Sequence, residues 1–376
     1  MENSFDIIVI GGGHAGCEAA HISAKMAQRA VLLTGSAEAL SRMSCNPSVG
    51  GLAKAQLVKE IDALGGIMGQ VADISGVQFR LLNRSKGPAV RSTRVQCDRS
   101  IYEKTTTKHL SSIPEIKIAE TFANEIVVDG SKVMGVKCED GTVYWAKSVI
   151  VTTGTFLNGL IHIGMKSTPA GRFGEKSAVG LTESLNKLGI RSGRLKTGTP
   201  PRLDGKSIDF TQGIEQPGDE PPPLFSYRSR IEINKQLPCF LTYTNDRTHQ
   251  SIHNGLDESP LFTGIIRGVG PRYCPSIEDK VVRFPDRIRH QLFLEPEGWD
   301  TDEIYINGFS SSLPVDVQLE ALRTISGLEN VKMNRPGYAI EYDYFPSSQI
   351  MPTMESKLIE NLYFAGQVNG TSGYEE

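Results

Sequence analysis

Phe5-Asp6-Ile7-Ile8-Val9-Ile10-Gly11-Gly12-Gly13-His14-Ala15-Gly16 decides the fold. The run from Phe5 to Ile10 is β-branched and apolar and reads as a strand. The glycines form a turn, His14 to Arg29 is an Ala-rich helix, and Ala30 to Leu33 is a second strand, which makes the opening of a βαβ unit. In that setting the GxGxxG spacing is a dinucleotide cradle. Gly11 permits the tight turn, Gly13 lets a pyrophosphate approach the backbone, and Gly16 lets the helix pack closely on the strand. Gly12, His14 and Ala15 complete the candidate set. One element departs from the pattern: the place of a ribose-binding acid, about 20 residues on, is held by Thr34, with Glu38 the nearest acid. The cofactor expected is therefore not a simply bound NAD.

Two more apolar strands end in glycine far from the first, Val149-Ile150-Val151-Thr152-Thr153-Gly154 and Asn361-Leu362-Tyr363-Phe364-Ala365-Gly366-Gln367. The set of three resembles the two-dinucleotide-binding flavoproteins and favours FAD. Between them, Lys117-Ile118, Glu125–Val128, Val133–Cys138 and Val143–Val151, punctuated by Asp129-Gly130 and Asp140-Gly141, predict an antiparallel meander. Ser148 to Met165 is uncharged but carries three threonines, three glycines and Asn158, so it reads as strand, loop and strand rather than a membrane span. TGTPPRLDG (197–205) and EQPGDEPPPLF (215–225) read as exposed loops at a domain boundary. The predicted fold is α/β: a Rossmann-like FAD-binding domain with a smaller inserted α/β module. Residues 1–199 are its first part, 200–274 the inserted domain on the NADH or substrate side, and 275–376 its second part.

With 376 residues there is room for two to three domains. The net charge of −3 means that any nucleic acid must be held by local patches. Two such patches exist: Arg80, Arg84, Lys86, Arg91, Arg94 and Arg99 stand against a lone Asp98, and Arg191, Arg194, Lys196, Arg202 and Lys206 against Asp204. Six scattered cysteines without a CxxC pair predict free thiols in a reducing cytosol, and the N-terminus has no basic signal region. Cys45 and Cys274 sit in loop-like contexts, Cys274 near Arg272, and are better thiolate candidates than Cys17 or Cys138. His249 and His253, four apart near Asp257 and Glu258, lack a third ligand at a defensible spacing, so no metal is expected.

MSCNPSVGG (43–51), VKEIDALGG (58–66), NRSKGPAVRSTRVQCDR (83–99), RLKTGTPPR (194–202), GPRYCPSIEDKVVRF (270–284) and LYFAGQVNGTSGYEE (362–376) closely resemble the tRNA uridine 5-carboxymethylaminomethyl modification enzymes of the MnmG, or GidA, family. The resemblance covers the whole chain. It implies FAD on the glycine turn, reduction by NADH, methylenetetrahydrofolate as carbon donor to C5 of the wobble uridine of tRNA, a homodimer, and a complex with the GTPase MnmE. By motif, Gln367 would face the flavin, Phe122 and Ser177 would join the cofactor site, and Gly270, Pro271, Arg272, Tyr273 and Ser276 would lie in the NAD-binding stretch. Family members continue into a C-terminal helical domain, and the ending at Tyr374-Glu375-Glu376 reads as the start of a helix, so a longer protein is expected. The chemistry gives a reason for thiols: a thiolate added at C6 makes C5 of uracil enolate-like, and a second group handles the proton. Cys274 is the expected nucleophile and Cys45 its auxiliary. The readings kept beside this one are the folate- and FAD-dependent tRNA uracil methyltransferase, a small-molecule flavin reductase, and a flavin-carrying tRNA-binding scaffold.

Overall fold

The structure, a computed structural model, describes residues 3–268, 270 and 275–371. Its main sheet is built on strand β1 (Ser4–Ile10), flanked in parallel by β2 (Ala30–Thr34) and by Val143–Val151, with Ile116–Glu120 parallel on the outer edge of β2. Ile7–Ile10 and Ala30–Leu33, at the centre of the sheet, are continuously apolar because both faces are covered there. Ile8, Ile10, Val31 and Leu33 enter one core layer, while Val9 and Leu32 enter the other beneath helix α1 (His14–Lys25). The strand Val143–Val151 divides the sheet: its first residues pair antiparallel with Lys132–Cys138, and its last three pair parallel with Leu362–Phe364. The last-named strand thereby brings its glycine turn to the same sheet end as the first turn.

The expected four-strand meander is corrected at one member. Ala123–Asp129, Lys132–Cys138 and Val143–Val151 form it, but Ile116–Glu120 lies at the opposite edge. There Ile116 buries into the helix-covered layer and Ala119 into the other, which an edge of the meander would not offer.

A six-stranded antiparallel sheet forms the second unit, in the order Ile214–Gln216, Cys239–Tyr243, Gln291–Pro296, Glu303–Asn307, Arg202–Asp204 and Met333–Arg335. Its core runs from Leu203 to Val331. The boundary drawn at 274 falls inside this unit, because Cys239–Tyr243 and Gln291–Pro296 are paired neighbours. Two smaller sheets connect the units. Ser48–Gly50, Ser92–Cys97 and Gly76–Leu82 form one, and Lys166–Pro169, Leu160–Ile163, Tyr338–Tyr344 and Gly193–Thr199 the other. Among the described residues no helix is long and apolar enough to cross a membrane; the uncharged 148–165 stretch is strand, loop and strand.

The proline-rich segments are not simply exposed loops. Pro200, Pro201 and Arg202 are buried, and Phe225 lies within the core beside helices Ala55–Ala63 and Met68–Ser75. Asp73 explains the second case. Its carboxylate accepts from the backbone N–H of Phe225 (2.7 Å) and Ser226 (2.9 Å) and from the Ser229 hydroxyl (2.6 Å), pinning a segment that has no regular partner of its own.

Candidate functional site

The glycine turn has the form that its spacing predicts. Gly11 adopts φ +112°, a conformation only glycine holds without strain, and a Cβ there would stand 2.5 Å from the Thr152 carbonyl oxygen. A Cβ on Gly12 would meet the Thr34 hydroxyl at 2.6 Å, and one on Gly16 would collide with the Gly11 carbonyl. Gly13, the residue capping α1, differs: a Cβ there would meet nothing within 4 Å. Close packing thus holds three glycines in place, and the fourth faces open space at the positive end of a twelve-residue helix, where an anionic diphosphate is electrostatically favoured.

The three motifs converge. Thr152 N donates to Ile10 O (2.8 Å), its hydroxyl donates to Gly11 O (3.0 Å), and Ala365 N donates to Val151 O (3.0 Å). Gly366, at φ +78°, packs so closely on the turn that a Cβ would lie 2.7 Å from the Ala15 Cβ. Gln367 donates through Nε2 to the Tyr342 hydroxyl (3.0 Å). The Phe122 ring lies over Gly35, just past the end of β2, on the side where Thr34 replaces the expected acid. Thr34 turns its hydroxyl to Ser36 O (3.2 Å), and Glu38 is exposed. Ser177 is half-buried, next to Ala178, which bridges to Leu157 beyond the Thr152 turn. The His14 ring packs 5.4 Å from Tyr102, and burial, aided by the Arg172 cation, pushes its pKa down to about 3, so it is neutral at ordinary pH.

Cys45 occupies a second focus. Its Sγ lies 3.4 Å from Gly198 O and 3.2 Å from the Tyr305 hydroxyl. Its carbonyl accepts from Arg202 (2.9 Å), a side chain only 1% exposed, and the Arg202 guanidinium lies 4.6 Å over the Tyr305 ring. Arg202 is neutralised by Glu297 (2.5 Å), which also holds Arg99 (2.5 Å), and Arg99 in turn donates to Met43 O (2.5 Å). Burial alone pushes the Glu297 carboxyl up, but the Arg202 and Arg99 cations outweigh it and hold it below its ordinary range. Two cations on one carboxylate therefore clamp the 43–45 loop from both ends. The other described cysteines differ: burial pushes Cys17, Cys97 and Cys239 up to about 12 and Cys138 to about 11. A cleft of about 400 Å³ opens beside Asn46, lined by Lys54, Arg80, Arg94, Phe293 and Glu295 among others.

Cys274, Pro271, Arg272 and Tyr273 lie outside the described residues. Gly270 is exposed, and Ser276 spends its hydroxyl as the cap of helix Ile277–Arg283, accepting from Asp279 N (3.2 Å). The basic runs are largely neutralised by distant acids. Arg84 pairs with Asp219, Arg94 with Glu295, Arg99 and Arg202 with Glu297, Arg194 with Asp343, and Lys206 with Asp302. Lys196 is buried. Arg80, Lys86, Arg91 and Arg191 stand outside these pairs: Arg80 is half-buried and bonds to the Gln216 side chain (3.2 Å), Arg191 is exposed, and Lys86 and Arg91 are exposed together on the 84–91 tip. His249 and His253 do share helix Asp246–Asn254, where His249 bonds to Thr244 (2.8 Å) and packs its ring at a tilt against His290. No cluster of three metal-binding groups occurs among the described residues.

Sequence reasoning missed Thr152, Tyr305 and Glu297. Thr152 had a signal, since the strand it ends was already singled out; the other two are a strand tyrosine and an acid before a Gly-Trp turn, and only pairing between distant strands gives them their roles.

The Glucose inhibited division protein A family profile matches residues 6–376. The chain is 58% identical over 375 residues to the tRNA uridine 5-carboxymethylaminomethyl modification enzyme MnmG of Thermodesulfovibrio yellowstonii, and 52% identical over 377 residues to that of Christiangramia forsetii. All of this chain is covered in both comparisons, and 60% of each relative, so the chain spans about 60% of the length of the curated relatives it matches. The crystal structure of Aquifex aeolicus GidA in form I is similar at a TM-score of 0.95 and 48% identity, over 99% of this chain and 63% of that one.

Proposed function

The chain belongs to the Glucose inhibited division protein A family, and on that premise we propose that it carries the FAD-binding and thiol centre of a tRNA uridine modification enzyme. The observation that carries this reading is the convergence of the three glycine turns, with Gly366 seated on Ala15 and Thr152 bonded to Gly11. The residues fit the cofactor. Gly13 and the N-terminus of α1 would hold its diphosphate, Phe122 and Thr34 would flank its adenosine end, and Gln367, fixed by Tyr342, would border its ring. When bound, FAD supplies two-electron redox chemistry.

In this reading NADH is the reductant and methylenetetrahydrofolate supplies the carbon that goes to C5 of the wobble uridine. Cys274 adds as thiolate at C6, moving the C5–C6 π electrons onto the C4 oxygen, so that C5 can bond the methylene carbon of the folate's iminium form as the C=N π pair returns to the folate nitrogen. Loss of the C5 proton to a neighbouring base then expels the thiolate and restores the ring, and Cys45, the auxiliary thiol, is proposed as that base. The Glu297 clamp fixes the 43–45 backbone so that the thiol does not wander. The working assembly proposed is a homodimer with the GTPase MnmE in the cytoplasm. Lys86 and Arg91 are two exposed cations offered to tRNA phosphate.

The test is a nucleoside mass-spectrometric profile of bulk tRNA from cells lacking this gene, with and without complementation. Aminomethyl-type wobble uridines should vanish and return. Loss of ribothymidine instead would assign the chain to the folate- and FAD-dependent uracil methyltransferase reaction, and an unchanged profile would leave flavin reduction of a small molecule.

A further inference from the structure

Three adjacent strands of the six-stranded sheet place one residue each in a cross-strand row: Arg202 faces Tyr305, and Tyr305 faces Glu295. Directly paired residues point to the same side of a sheet. That side meets the first unit: Arg202 reaches the Cys45 carbonyl, Tyr305 the Cys45 sulfur, and Glu295 the Arg94 guanidinium (2.8 Å). Tyr305 is 3% exposed, so its hydroxyl has little access to bulk water, and its ring carries the Arg202 cation on one face.

Proton counting sets the direction of the bonds. A carbonyl oxygen only accepts, so the short contact to Gly198 O is made by the thiol proton of Cys45, and the Tyr305 hydroxyl then donates to sulfur. When the thiol loses its proton, its bond to the Gly198 carbonyl is given up, while the Tyr305 donor faces a full negative charge and its bond strengthens. The surrounding charges do not reverse this. Arg202 and Arg99 are cations on the 43–45 loop, the Glu297 carboxylate lies between those two, and Tyr338, which burial holds un-ionised, is a further titratable group near the thiol among the described residues. On the far side Arg94 reaches Asn46 and is matched by Glu295.

We infer that Tyr305 is a positioning residue for Cys45, its hydroxyl orienting the sulfur and favouring the thiolate, with Arg202 holding both the ring and the loop. The inference rests on the reading of Cys45 as a working thiol. It gives the inserted sheet a part in the chemistry beyond covering the cofactor domain, because the residue that tunes the thiol arrives 260 positions later in the chain.

The test is the pH profile of iodoacetamide alkylation at Cys45 in the purified protein, followed peptide by peptide by mass spectrometry. Tyr305→Phe keeps the ring and removes only the hydroxyl; the profile should move to higher pH and the rate at pH 7 should fall roughly tenfold, the order expected for losing a hydrogen bond to a charged group. A second variant carries 2,3-difluorotyrosine at 305, a stronger donor of the same shape, and should move the profile to lower pH. Profiles that superimpose on the parent in both variants overturn the inference. If Tyr305→Phe does not fold, as judged by its melting transition, the fluorinated variant decides alone. Cys45→Ala, assayed for tRNA modification, separately tests the reading beneath. Full activity there would remove Cys45 from the reaction, while the alkylation profiles still decide whether Tyr305 tunes its sulfur.

Discussion

Gly366 lies against Ala15 across 351 positions of sequence, so closely that a Cβ on Gly366 would stand 2.7 Å from the Ala15 Cβ. The contact locks the last described strand onto the first turn of α1, and neither residue tolerates a larger side chain. Gly366→Ala should therefore destabilise the fold by about 2 kcal/mol through overpacking and a left-handed backbone, and release bound flavin. Ala15→Gly in the same chain restores the space, so the double variant should recover about 1 kcal/mol, read as coupling in urea unfolding. Strict additivity of the two changes would show that the contact is not what holds the turns together.

Cysteine reactivity should follow burial. Cys17, Cys97, Cys138 and Cys239 are buried and their thiols pushed up to about 11 or 12, whereas Cys45 is half-buried beside a hydroxyl and a cation. Limited alkylation at pH 7.5 should label Cys45 at least tenfold faster than those four. Equal labelling, resolved by peptide mass spectrometry, would mean that the protein opens locally faster than it reacts.

His14 makes stability depend on acid. Its imidazole has a folded pKa near 3 against about 6.5 in the unfolded chain, so below pH 6.5 the unfolded state binds a proton that the folded state refuses. The contribution is whole above pH 6.5 and is lost progressively as pH falls toward 3, reaching about 2 kcal/mol at pH 5. Urea midpoints measured from pH 7.5 to 5 should fall, and His14→Asn should flatten that fall by this amount. An unchanged slope would place the acid sensitivity in other buried groups.

Much of the cofactor end is legible in sequence because its constraints are local. A strand, a glycine turn and a small-residue helix lie within 25 residues, and the spacing alone implies close packing at Gly11 and Gly16 and room for a ligand at Gly13. The parallel partner of Ala30–Thr34 is different: IKIAE at 116–120 reads as a strand, but nothing in those five residues tells which edge of the sheet it joins. Charge is the least legible property. The 80–99 run looks strongly cationic, yet the acids that cancel Arg84, Arg94 and Arg99 come from Asp219, Glu295 and Glu297, more than 130 residues downstream. Tyr305 is hidden in EIYIN, an ordinary buried-strand pattern, and acquires its partner only through the register that sets it beside Arg202.

Ion pairing decides which cations remain for nucleic acid. Lys86 and Arg91 are exposed, whereas Arg94, Arg99 and Arg202 are committed to carboxylates they shield from solvent. A phosphate contact by each exposed cation releases about 0.9 counterion, so Lys86→Gln with Arg91→Gln should reduce the slope of log K against log salt for tRNA binding by about 2. Glu297→Gln should act otherwise. It leaves two cations, Arg99 and Arg202, sharing one neutral amide in the interior, at a cost of about 3–5 kcal/mol to folding and no gain in tRNA affinity. Salt-dependent binding isotherms and urea unfolding on the two variants separate the cases: a flattened slope with parental stability marks the 84–91 tip as tRNA-facing, and a parental slope assigns that tip to solvent.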